Sequence, residues 1–73
     1  LRLVSLQPLP EGSRLEVFSL QGRQLWQEVL PAGYLQGREV SVSGWAPGPY
    51  ALLLKSREGN VLETKMFSLI GGN

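Results

Sequence analysis

The run Tyr50-Ala51-Leu52-Leu53-Leu54 has no polar residue before Lys55, and it follows directly on Pro47-Gly48-Pro49. A strand sends successive side chains to opposite faces, so a run apolar at every position predicts a central strand covered on both sides. Leu52 and Leu54 are expected to face one layer and Leu53 the other, and burying each leucine contributes roughly 1.5–3 kcal/mol. Pro47-Gly48 predicts the centre of a type II turn, with Gly48 at positive φ. Pro49 lacks a backbone donor and suits the first residue of a strand. The remaining residues must then supply sheet neighbours for this strand and a layer to cover it.

The material for that task is limited. The chain has 73 residues, enough for one small domain spanning 1–73. A chain of this size hides only about 60% of the surface its unfolded form exposes, so its net stability is small. It opens on Leu1 inside a strand-like pattern, which reads as the C-terminal piece of a longer secreted precursor. There is no Cys and no His, which removes thiolate metal sites and the commonest general base. A net charge of +1 is too weak to imply nucleic acid as a partner. No apolar run approaches the roughly 20 residues of a transmembrane helix, and no signal peptide pattern opens the chain.

In order, Leu1–Leu6 reads as a strand and Gln7–Ser13 as a loop broken by Pro8, Pro10 and Gly12. Arg14–Ser19 alternates, with Leu15 and Val17 inward and Glu16 outward. Leu20-Gln21-Gly22-Arg23 is a hairpin connection in which Gly22 takes positive φ. Gln24–Leu30 is a third strand, with Leu25 and Val29 on one face and Trp26, Glu28 and Leu30 on the other. After the Pro31–Gly37 loop, Arg38–Ser43 alternates with Val40 and Val42 inward. Ser56–Asn60 is a polar hairpin turn, and Val61–Leu69 is the last strand. About six or seven strands at regular spacing, with no helical period, predict an all-β chain folded as a small antiparallel β-sandwich.

Catalysis is hard to build from these residues. A nucleophile would need Lys or a carboxylate as its base. The carboxylates Glu11, Glu16, Glu28, Glu39, Glu58 and Glu63 stand singly at outward or loop positions and read as solvated surface charges. Asp is absent, which removes Asp-x-Asp calcium loops. The chain is therefore expected to have no catalytic, metal or cofactor site. Phe18, Trp45, Tyr50 and Phe67 are expected to fill the core, with Trp26 and Tyr34 partly exposed; a stacking platform for bases or sugars would need them aligned beside a basic stripe.

Three segments in order carry a resemblance. Leu15-Glu16-Val17-Phe18-Ser19-Leu20-Gln21-Gly22-Arg23 is similar to a hairpin motif with an aromatic residue, an Asp and a closing Gly-Arg. Val40-Ser41-Val42-Ser43-Gly44-Trp45-Ala46-Pro47-Gly48-Pro49-Tyr50 resembles a Val-Asp-Leu-Ser-x-Leu-x-x-Gly-x-Tyr segment. Gly59–Phe67 resembles a terminal strand of the form Gly-x-x-x-x-x-Lys-x-Phe. Together they resemble the C-terminal sorting domain of cargo proteins of the bacterial type IX secretion system, the Por secretion tail family. Ser19 stands where that family usually has Asp, and Trp45 where it usually has Leu.

The resemblance implies an Ig-like sandwich that directs an attached N-terminal cargo through the periplasm and across the outer membrane. The cargo is then secreted or held at the cell surface. It implies the type IX machinery and a sortase-like peptidase as partners, the latter removing the domain. The matching positions for recognition or fold are Gly22, Arg23, Gly48, Tyr50, Lys65 and Phe67. The rival expectation is an Ig-like or fibronectin type III-like accessory module that binds glycan or spaces neighbouring domains.

Overall fold

The computed structural model describes residues 1–4, 8–33 and 36–70. Among them are six strands: β1 (Arg2–Val4), β2 (Arg14–Ser19), β3 (Gln24–Val29), β4 (Gln36–Glu39), β5 (Gly48–Lys55) and β6 (Val61–Leu69). They form an all-β structure of two antiparallel sheets, one of order β1-β4 and one of order β3-β2-β5-β6. No helix among the described residues is long and apolar enough to cross a membrane. In chain order, β2, β3, β5 and β6 take the places of strands C, C′, F and G of an immunoglobulin sandwich, and β1 and β4 those of B and E.

Both hairpins are built the same way. Ser19 and Ser56 open them, and each donates a backbone hydrogen bond to the residue four positions on: the Ser19 amide to the Arg23 carbonyl (2.9 Å), the Ser56 amide to the Asn60 carbonyl (2.8 Å). The serine hydroxyl accepts from the amide of that same residue, at 3.3 Å for Arg23 and 3.1 Å for Asn60. The residue before it is a glycine at positive φ, Gly22 at 87° and Gly59 at 93°. This is a three-residue loop ending in a left-handed residue, a place a side chain would strain.

The core lies between the sheets. Leu3, Leu9, Leu15, Leu30 and Val40 form its buried cluster, with Leu1, Trp26, Trp45, Leu52 and Leu54 packed against it. Leu15 and Val17 of β2 face inward, as their alternation predicts, and Val17 has no exposed surface. Three of the core residues come from outside the strands: Leu9, Leu30 and Val40. Leu9 is fixed by a two-way backbone bridge to Gly33, at 2.8 and 3.0 Å. An ion pair between Glu28 of β3 and Arg38 of β4 joins the two sheets at their edge.

Several expectations change. β5 is central, between β2 and β6, but it is covered on one face only. Leu53 points to the other face, where it shares a row with Glu16 and Thr64; it is partly buried, as Leu52 and Leu54 are, but unlike them it does not pack against the core cluster. The two-stranded sheet is too small to be matched by a third layer, so the apolar run meets one cover and not two. Phe18 lies on that open face and is not core, whereas Trp26 is partly exposed, as expected, with its buried part packed against the core. The fourth strand is Gln36–Glu39, and Val40 is buried just after it while Val42 is half-buried. The tight turn is Val42–Trp45, where the Trp45 amide donates to the Val42 carbonyl (3.0 Å) and Gly44 has φ 87°. Gly48 instead opens β5 at φ 136°, so it has the positive φ expected of it without centring the turn. Pro49 follows it opposite Ser68 of β6; pairing with β2 begins only at Tyr50, so one flank of Pro49 needs no donor. The Tyr34 expectation falls outside the described residues.

Candidate functional site

The six matching positions divide between one end of the four-stranded sheet and its outer strand. Ser19, Tyr50 and Phe67 stand side by side across β2, β5 and β6. Ser19 holds the turn that ends in Gly22 and Arg23, and Gly48 stands opposite Leu69 two residues before Tyr50. Five of the six positions thus gather at this end, although they come from three separate stretches of sequence. Lys65 stands opposite Leu52, one row further along the sheet on the same face.

Tyr50 is the anchor of this end. It is buried, and its hydroxyl donates to the Ala46 carbonyl at 2.5 Å. A tyrosine at the start of strand F that bonds back to the backbone a few residues upstream is the tyrosine corner of immunoglobulin-like sandwiches. It ties the loop that crosses from one sheet to the other onto the strand it enters. Tyr50 also stacks on Phe67 at 5.6 Å between ring centroids, and the Trp45 ring lies tilted to it, also at 5.6 Å. Tyr50 and Phe67 therefore have a packing role that is sufficient to explain their presence.

Arg23 and Lys65 differ from these. Arg23 is exposed in the turn. The Lys65 side chain is 71% exposed, and its Nζ lies 3.9 Å from the Glu63 carboxylate. A pair at that distance and exposure adds little to stability.

A second cluster was not foreseen. Glu16 is 4% exposed although it lies on the open face of the sheet, which corrects its reading as a solvated charge. Its Oε2 accepts from Arg14 Nε at 2.7 Å and its Oε1 pairs with Lys55 Nζ at 2.9 Å. Arg14 and Lys55 are cross-strand partners, so the two cations flank the carboxylate from adjacent strands. Lys55 Nζ also lies 6.0 Å from the centre of the Phe18 ring. Burial disfavours the charged carboxylate, but the hydrogen bonds and charges of Lys55 and then Arg14 outweigh it, and the Glu16 pKa falls below the ordinary value. The available signal was the spacing: Arg14 and Glu16 are two apart on a strand and so share a face.

No cluster of His, Cys, Asp or Glu suited to a metal ion occurs among the described residues. Comparison with known protein families, with curated proteins and with solved structures finds no match to this chain.

Proposed function

We propose that the chain is a secretion-targeting domain, read as a folded module by the type IX export machinery, which carries an N-terminally attached cargo across the outer membrane. In this reading a sortase-like peptidase then removes the domain, and the cargo is released or held at the cell surface. The observation that supports the reading is convergence. The hairpin motif ending in Gly22-Arg23, the Gly48-x-Tyr50 segment and Phe67 lie far apart in sequence and meet at one end of one sheet. A module that must fold before it is recognised would gather its signature in this way.

The test is a periplasmic reporter fused ahead of Leu1, in a bacterium that has a type IX system, beside a native sorting domain as positive control. The intact domain should take the reporter to the medium or the cell surface. Arg23→Glu and Lys65→Glu, each shown to be folded, should reduce export at least severalfold. A reporter that stays periplasmic behind the folded domain, while the control exports, would overturn the proposal.

A further inference from the structure

β6 is a nine-residue edge strand that, among the described residues, has no partner beyond it in the sheet order. It carries no proline, and Val61, Leu62 and Met66 are large apolar side chains left about half exposed or more. Natural edges are usually shortened, charged or covered, because their free N–H and C=O groups template further strands. Here the only charges on the strand are Glu63 and Lys65, which neutralise each other.

We infer that β6 pairs antiparallel with β6 of a second copy of this chain. Identical antiparallel strands are related by a twofold axis normal to the sheet, so facing residues share a sheet face and the axis passes through one residue. Placed at Thr64, the axis sets Glu63 of each copy opposite Lys65 of the other and places Leu62, at the bulge, against Met66. Moved one residue either way, it sets Glu63 against Glu63 or Lys65 against Lys65, and like charges directly opposite are unfavourable. The charge pattern therefore selects one register. The result is one continuous sheet of twice the present four strands, with both β6 edges removed. This pairing goes beyond the export reading and does not depend on it: an exported domain that is monomeric would overturn the pairing alone.

The experiment is sedimentation equilibrium of the chain at about 0.1–1 mM, the range expected of a small interface. The parent should dimerise. Glu63→Lys and Lys65→Glu each turn two facing attractions into repulsions, and each should weaken the dimer about tenfold or more. Both side chains are largely exposed, at 56% and 71%, so the fold should survive, as an unchanged urea midpoint would verify. An equimolar mixture of the two variants, and the double exchange Glu63→Lys with Lys65→Glu, should restore dimers. A monomeric parent at these concentrations, or single variants that dimerise as the parent does, would overturn the pairing.

Discussion

Replacing Glu16 with Gln keeps the size of the side chain and removes its charge, so it isolates what the Arg14–Glu16–Lys55 cluster contributes. Hydrogen bonds to charged groups contribute roughly 1.5–3 kcal/mol each when shielded from water. The Lys55 side chain is 23% exposed and its bond keeps much of that value. The Arg14 side chain is 39% exposed, so solvent screens it and its share falls toward the roughly 0–1 kcal/mol of a surface pair. Desolvation of the buried carboxylate offsets part of the sum. The expected loss is about 2 kcal/mol at pH 7, or roughly 8–16 °C in Tm for a domain this small.

The pH dependence gives the sharper test. The folded pKa of Glu16 is depressed, so its contribution is fully present above the unfolded carboxylate value near 4.5 and is lost as pH falls through the lower folded value. Gln does not titrate. Urea titrations of the parent and of Glu16→Gln should therefore differ by about 2 kcal/mol at neutral pH and converge in acid. A gap below about 0.5 kcal/mol at pH 7, or one that stays constant into acid, would refute the account of the cluster.

Two further perturbations follow from burial. Tyr50→Phe removes the hydroxyl that donates to Ala46 while keeping the stacked ring, and it should cost about 1 kcal/mol in urea titration; an unchanged midpoint would mean the corner bond contributes nothing. Val17→Ala should cost about 2 kcal/mol, because Val17 is wholly buried, and more than Leu53→Ala at about 1 kcal/mol, although leucine is the larger side chain. The reverse order would mean that the open face is covered in solution.

The legible parts of the fold were those set by local chemistry. The two Ser-x-x-Gly hairpins could be placed because their glycines need positive φ, which few other residues adopt. The inward set of β2 followed from period-two alternation at Leu15 and Val17. Less legible was everything decided by how many layers a short chain can build. The Tyr50–Leu54 run fits cover on both faces, but the strands left over make only the small β1-β4 pair, so Leu53 and Phe18 lack a covering layer. Glu16 is buried on that same open face because Arg14, Lys55 and their neighbours close over it, a tertiary effect invisible to an alternation rule. Leu9, Leu30 and Val40 fill the core from outside the strands, where no periodicity marks them.

The division of labour within the motif sharpens the export reading. Gly22 and Gly48 hold positive φ, Tyr50 closes the corner, and Phe67 stacks on it, so each of these serves the fold whatever its other role. A variant at any of them should lower stability and export together, because a module that unfolds is not recognised. Within a single copy Arg23 and Lys65 have no comparable packing role, being exposed in the turn and on the outer strand. Side-chain recognition by a receptor would therefore fall on them. Plotting export against urea midpoint across Tyr50→Phe, Arg23→Glu and Lys65→Glu separates the two kinds of residue. The first should fall on the line set by stability, and the other two well below it. If all three fall on one line, these two side chains carry no recognition, and the export signal must lie in the fold as a whole or in its strand edges.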